Sequence, residues 1–260
     1  VQDLTLTLVQ DRIHWQDQAA NRQHFEERIA QAPASDLILL PEMFTTGFTL
    51  QSFQLAESMS GESIQWMTRV AQESGAVIAG SLIIEEEGRY FNRLVWMRPD
   101  GSFAYYDKRH LFRMADEHRH YSPGDERLVV NLNGWRICPM ICYDLRFPVW
   151  SRSRSGSGFD LLLYVANWPQ KRRLHWQHLL PARAIENLSY VVGLNRIGVD
   201  DNDIDYSGDS AIFSPQGEVL LDAGSEAGLY SCTLSHDELA AYRESFPAHL
   251  DADPFTLQGI

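Results

Sequence analysis

Apolar and polar positions along the chain fall into two periods that alternate from the start. Leu4–Gln10 (LTLTLVQ) is apolar at every second position, the mark of a strand with one buried face. Residues 17–32 then repeat at helical spacing, and residues 36–40 form a short apolar run that stops at Pro41-Glu42. Residues 63–74 predict a second amphipathic helix, and Gly75 leads into a strand over 76–84. Two further strands, 90–97 and 102–106, flank Pro99-Asp100-Gly101, a strong turn signal. Trp135–Ile141 reads as a strand that runs straight into Cys142, and 159–166 is a continuous apolar strand of the fully buried kind.

The second half continues the alternation. Residues 174–190 have helical spacing, with a kink expected at Pro181. Strands are predicted over 191–197, 210–213, 219–221 and 229–234, with Pro215-Gln216-Gly217 as a turn. Ser235 is placed to cap a last helix reaching about Glu244. From 246 to 260 the chain has two prolines and no period, so this tail is expected to lie over a surface or a partner subunit. No repeat, linker or low-complexity block interrupts the pattern. The elements predict one α/β domain over residues 1–260, with helices covering its sheets.

Composition narrows the partners. Lys plus Arg number 22 and Asp plus Glu 35, a net charge of −13, which disfavours nucleic acid and anionic membranes. No apolar run is long enough to span a bilayer, and the chain opens on a strand rather than a signal peptide. Three cysteines without a C-x-x-C pair suggest neither a disulfide framework nor structural zinc, so a reducing, cytoplasmic compartment is expected.

Three reactive side chains follow predicted strands, where sites in α/β folds gather. Cys142 lies in ICYDLRFP, where an elbow would expose the thiol beside backbone N–H groups. A cysteine at a strand end is more commonly a buried hydrophobe, and Cys138 and Cys232 take that reading. Lys108, in YDKRHLF, is surrounded by Tyr105, Tyr106, Leu111 and Phe112. A lysine is ordinarily a solvated surface charge, but this apolar setting suits a buried ammonium able to support a thiolate and an oxyanion. Glu42, after LILLP, is either a strand terminator or a general base and acid. Metal catalysis is disfavoured: Glu117, His118 and His120 lie close, as do His175 and His178, yet no H-E-x-x-H occurs. The acidic run 200–205 lacks the glycine and glutamate of a calcium loop, and no phosphate-cradling glycine loop or G-x-S-x-G is present.

LLPEMF (39–44), YDKRHLF (106–112) and ICYDLRFP (141–148), in this order, resemble the three catalytic motifs of the nitrilase superfamily of carbon–nitrogen hydrolases. The resemblance continues in YVANWP (164–169), ARAIEN (182–187), NRIG (195–198) and GDSAIFSPQGE (208–218). EMFTTGF (42–48) and ANWP (166–169) are most similar to the omega-amidase branch. The resemblance implies a four-layer α-β-β-α sandwich that pairs into homodimers. It implies Glu42 as general base and acid, Lys108 as oxyanion stabiliser and Cys142 as nucleophile, with Glu117 as the second glutamate ahead of Pro123-Gly124. Tyr143 is the candidate for a backbone oxyanion N–H. No metal or organic cofactor is implied.

The branch implies a small-molecule amide substrate, a short 2-oxo dicarboxylate monoamide such as 2-oxoglutaramate or 2-oxosuccinamate. Its free carboxylate requires a fixed cation, for which Arg172 is the candidate, with Trp168 and Phe48 as apolar walls. The same triad would also open a nitrile or another small aliphatic amide, and a non-catalytic metabolite-binding member of the fold is a further alternative.

Overall fold

The computed structural model describes residues 1–153 and 158–257. Its strands are β1 (Leu4–Gln10), β2 (Leu37–Leu39), β3 (Val77–Glu86), β4 (Arg89–Met97), β5 (Phe103–Asp107), β6 (Val130–Leu132) and β7 (Trp135–Ile141). They continue as β8 (Leu161–Ala166), β9 (Tyr190–Asn195), β10 (Ile197–Val199), β11 (Asp205–Ser207), β12 (Ala211–Phe213), β13 (Val219–Asp222) and β14 (Gly228–Leu234). The helices are α1 (Gln18–Ile29), α2 (Ser52–Leu55), α3 (Glu62–Ser74), α4 (Pro148–Ser151), α5 (Arg173–Asn187) and α6 (His236–Ser245).

Two six-stranded sheets face each other. One has the order β14-β1-β2-β3-β4-β5 and the other β13-β12-β9-β8-β7-β6, while β10 and β11 form a separate hairpin. Within each, a parallel core (β1-β2-β3, and β7-β8-β9) is flanked by antiparallel strands. The period-two rule decides which side chains go where. Leu37, Leu39, Val77, Ala79, Leu94 and Trp96 point between the sheets, where Ile137, Leu161 and Leu163 share their core. Their alternates Ile38, Ile78, Val95 and Met97 point outward, against Phe25 and Ile29 of α1 and Ile64, Met67 and Val70 of α3. On the opposite outer face α5 lies on β9 closely enough that a Cβ at Gly193 would sit 2.5 Å from Leu180 and 2.7 Å from Trp176. Helices outside two facing sheets give the expected α-β-β-α layering.

Boundaries moved where tertiary structure overrode periodicity. Residues 174–190 do not form one helix: α5 ends at Asn187, Leu188 turns left-handed (φ +47°), and Tyr190 already belongs to β9. The helix continues through Pro181. Residues 191–197 are likewise divided, with Arg196 separating β9 from β10. Cys138 is fully buried as expected, but Cys232 on the edge strand β14 is half-exposed. Residues 248–255 of the tail line a groove with Arg136, Phe159, Asp160 and Arg243; the expectation for 258–260 lies outside the described residues.

Candidate active site

The carboxyl ends of β2, β7 and β8 converge, and each delivers a polar residue to one buried cluster. Glu42 follows β2, Cys142 follows β7 and Asn167 follows β8. Lys108 arrives from the end of β5, and Glu117 from the loop beyond it. Glu42 and Glu117 are 0% exposed, Lys108 1% and Cys142 8%. Such burial of charge is unfavourable by several kcal/mol per ion unless each is paired and hydrogen-bonded.

The pairing is extensive. Lys108 Nζ lies 2.8 Å from Glu42 Oε1, and 3.0 and 3.1 Å from the two oxygens of Glu117. Asn92 Nδ2 donates to Glu42 Oε1 at 2.8 Å, and the backbone N–H of Asn167 donates to Glu42 Oε2 at 2.8 Å. Asn167 also donates its side-chain amide to the Glu42 carbonyl, so one residue of the second sheet grips Glu42 twice. Glu117 accepts the N–H of Phe112. The loop carrying it returns to β5 at Gly124, whose N–H donates to the Lys108 carbonyl at 3.0 Å. A Cβ there would sit 2.3 Å from the Asp107 carbonyl oxygen, which explains the glycine of the Pro-Gly pair.

Cys142 has φ +41°, a left-handed conformation uncommon outside glycine, and it opens a short 3-10 turn, Cys142–Arg146. This is the elbow expected after the strand, and Tyr143 lies within it. Met43, the residue after Glu42, also has positive φ (+46°). Strain at two adjoining corners, on different sheets, is the kind that surrounding structure must hold in place.

Electrostatics refine one expectation. Lys108 does lower the thiol pKa, but burial first, and then the Glu42 carboxylate and its hydrogen bond, push it well above the usual cysteine value. Cys142 therefore rests as a thiol beside Glu42 rather than as a preformed thiolate. Burial acts to lower the Lys108 pKa, yet Glu117 and then Glu42 outweigh it and hold the ammonium charged. Burial raises Glu117; Lys108 opposes this and Glu42 reinforces it.

The more exposed side chains around this cluster, its mouth, are held differently. Phe48 faces Lys108, its ring centroid 5.4 Å from Nζ. The Arg172 guanidinium lies over Phe112 at 5.1 Å, and Phe112 meets Tyr143 edge-on at 5.0 Å. Arg146, not singled out from sequence, lies over the Trp168 ring at 4.8 Å, with its Nη2 2.8 Å from His175 Nδ1. Trp168 is only 3% exposed, so it supports Arg146 from behind rather than forming an open wall. Its indole N–H donates to the Arg172 carbonyl at 2.8 Å. Burial lowers the Arg146 pKa and the neighbouring Arg172 lowers it further, so the two guanidiniums are close enough to act on each other. Neither pairs with a carboxylate among the described residues.

Asn92, Asn167 and Arg146 were missed. Asn92 interrupts the apolar strand β4, and Asn167 follows an apolar strand as Glu42 and Cys142 do; both were usable signals. Among the described residues no group of three His, Cys, Asp or Glu side chains is arranged to hold a metal ion.

Comparison with known proteins gives a consistent result. The family model for carbon–nitrogen hydrolase matches residues 5–244. The omega-amidase YafV of Escherichia coli (strain K12) is 49% identical over 256 residues, covering 98% of each chain. The 2-oxoglutaramate amidase of Bacillus subtilis (strain 168) is 36% identical over 220 residues, covering 84% of this chain and 85% of that one. The crystal structure of XC1258 from Xanthomonas campestris superimposes with a TM-score of 0.97 at 45% identity, covering 99% of this chain and all of that one. It is described as a CN-hydrolase superfamily protein with an arsenic adduct in the active site.

Proposed function

The chain belongs to the carbon–nitrogen hydrolase family, and from that premise we propose that it releases ammonia from the omega-amide of a short 2-oxo dicarboxylate monoamide, of the 2-oxoglutaramate or 2-oxosuccinamate type. The observation that carries this reading is the pair Arg146 and Arg172, two half-exposed guanidiniums without carboxylate partners among the described residues: Arg146 ends the turn that Cys142 opens, and Arg172 lies over Phe112, which meets Tyr143. Two such cations repel each other, and a substrate carboxylate relieves that repulsion while accepting charge-assisted hydrogen bonds. The names of the two relatives, an omega-amidase and a 2-oxoglutaramate amidase, point to the same chemistry.

In the proposed cycle Glu42 takes the thiol proton as Cys142 sulfur attacks the amide carbon. Proton transfer at the moment of attack suits a cysteine that rests as a thiol hydrogen-bonded to Glu42. The carbonyl electrons move to oxygen, where the Lys108 ammonium and the Tyr143 N–H stabilise the developing charge. Glu42 then gives its proton to the departing nitrogen, ammonia leaves, and a thioester remains. Water, deprotonated by Glu42, adds to the thioester; collapse releases the acid and returns the proton to sulfur. Glu117 holds Lys108 in place through two hydrogen bonds and takes no proton.

A homodimer in the cytoplasm completes the proposal. Leu174, His178 and Ile185 are exposed along one face of α5, with Pro181 half-buried between them, a stripe suited to a second copy. Three cysteines without a disulfide among the described residues fit a reducing compartment, and no helix among the described residues is long and apolar enough to cross a membrane. Light scattering at micromolar concentration is expected to give twice the monomer mass; a monomer overturns the dimer. For the activity, ammonia release is measured from 2-oxosuccinamate and from a neutral amide of equal length. Strong preference for the acid is expected, and equal or better turnover of the neutral amide overturns the substrate assignment.

A further inference from the structure

One buried carboxylate near the site takes no part in the cycle above. Asp144 is 0% exposed and accepts four hydrogen bonds from two elements. Its Oδ2 takes the Tyr106 hydroxyl at 2.7 Å and the Ile141 N–H at 3.1 Å. Its Oδ1 takes the His110 backbone N–H at 3.0 Å and lies 2.8 Å from His110 Nδ1. A carboxylate oxygen accepts, so the tautomer that satisfies this contact carries its hydrogen on Nδ1. The imidazole is stacked on Phe147, with centroids 3.7 Å apart and planes 6° apart, and Trp150 meets its edge. Trp150 Nε1 and the Arg109 N–H both donate to the Tyr106 hydroxyl, fixing it to point its proton at Asp144.

The sequence positions of these donors matter. Tyr106 and His110 bracket Lys108, two residues to either side. Ile141 and Asp144 bracket Cys142 and Tyr143. A single carboxylate thus ties together the two backbone segments that carry the nucleophile and both proposed oxyanion donors. The Cys142 corner is strained (φ +41°), so its direction depends on such external bonds.

We infer that Asp144, with His110 and Tyr106, is a positioning staple that sets Lys108 and the Cys142–Tyr143 elbow at catalytic separation. The inference rests on the triad reading of the site. Loosening the staple misplaces groups that act in the transition state more than groups that bind the ground state, so kcat falls while KM stays near its original value.

The test uses the full-length protein with His110→Ala, His110→Asn, Tyr106→Phe and, as a separate control, Cys142→Ala. A misplacement on the ångström scale lowers rates by up to about a hundredfold, so His110→Ala and Tyr106→Phe are each expected to reduce kcat by about tenfold to a hundredfold, with KM little changed. His110→Asn, whose amide nitrogen can donate from nearly the same point as Nδ1, is expected to recover most of that loss. Thermal melts separate positioning from folding: His110→Asn and His110→Ala are compared at temperatures where both are folded, and Tyr106→Phe serves if His110→Ala does not fold. Unchanged kcat in the folded variants, a loss confined to KM, or no recovery in His110→Asn overturns the staple. Turnover surviving in Cys142→Ala would instead overturn the triad on which it rests.

Discussion

The buried floor of this site and its more exposed mouth are held by different forces. At the floor, Glu42, Lys108 and Glu117 are buried, and Glu42 alone is bonded to Lys108, Asn92 and Asn167 from three separate strands or loops. At the mouth, Arg146 and Arg172 are half-exposed and rest on aromatic faces, with few directional contacts. Bond-making geometry must be kept within a fraction of an ångström, and hydrogen bonds in a low-dielectric interior supply that. A substrate carboxylate needs only a positive, adaptable surface, and stacked guanidiniums supply it at the smaller energies of cation–π contact, about 0.5–2 kcal/mol each. Chemistry is thus over-determined here, and selectivity is loosely held.

The sharpest attempt to break this division is Cys142→Ala. With the proposed nucleophile gone, turnover is expected to fall at least about a thousandfold, since members of such a unit fail together, while the melting temperature changes little. Cys138→Ala and Cys232→Ala should remain active. Ammonia release in all three proteins checks it, and an active Cys142→Ala protein would falsify the covalent route.

Next come the two charged partners, each expected to lose about a hundredfold to a thousandfold in kcat, the usual effect of removing one oxyanion donor or an essential base. Glu42→Gln and Lys108→Met should nevertheless act on the thiol in opposite directions. The Glu42 carboxylate raises the Cys142 pKa and Lys108 lowers it. In a background lacking Cys138 and Cys232, thiolate absorbance is expected to appear at lower pH in Glu42→Gln and at higher pH in Lys108→Met. Shifts of the same sign in both variants would mean the floor is not coupled as its distances indicate.

At the mouth, Arg146→Ala and Arg172→Ala are each expected to lose roughly 1.5–3 kcal/mol in kcat/KM on the acid-bearing amide, the worth of a charge-assisted hydrogen bond. The loss on a neutral amide of the same length should be small. Steady-state rates on that matched pair separate the two arginines; an equal loss on both substrates clears the residue concerned of carboxylate recognition. If the mouth is as adaptable as its stacking suggests, either single variant keeps part of the preference and the double variant loses it.

The same contrast explains what was legible in the sequence. Glu42 and Cys142 announce themselves because each follows an apolar strand, in LILLPE and ICYD; Asn167 carries the same signal in YVAN but went unread, and Asn92 and Glu117 end no strand. Leu4–Gln10, read from its alternation, and Trp135–Ile141, read as an apolar strand running into Cys142, matched β1 and β7 to the residue. Short elements without a full period, such as β6 and the β10–β11 hairpin, were not visible. Arg146 was hidden for another reason. It sits in a quoted motif, but only the three-dimensional placement of the Cys142–Arg146 turn beside the segment that follows β8 shows that its guanidinium lies over Trp168. Arg172 and Trp168 were proposed as cation and wall, yet the structure makes the tryptophan a support for a different arginine.

The smallest expected effect concerns Glu117, a floor carboxyl whose pKa is raised. Burial is the main cause and the neighbouring Glu42 adds to it, while Lys108 works in the other direction. The folded protein therefore holds the Glu117 proton more tightly than the unfolded chain does. Between the ordinary carboxyl pKa and the raised one, the folded state binds more protons, so stability falls as pH rises through that window. The contribution is fully present below the unfolded value and lost above the folded one. Glu117→Gln carries a permanent neutral amide in place of the acid, so its melting temperature should decline less steeply with pH across that range than that of the wild type. Calorimetry of both proteins at a series of pH values, in one buffer ionic strength, measures the two slopes. Parallel slopes would show that the proton is not held at Glu117, and the floor would then accommodate both carboxylates ionised around a single ammonium.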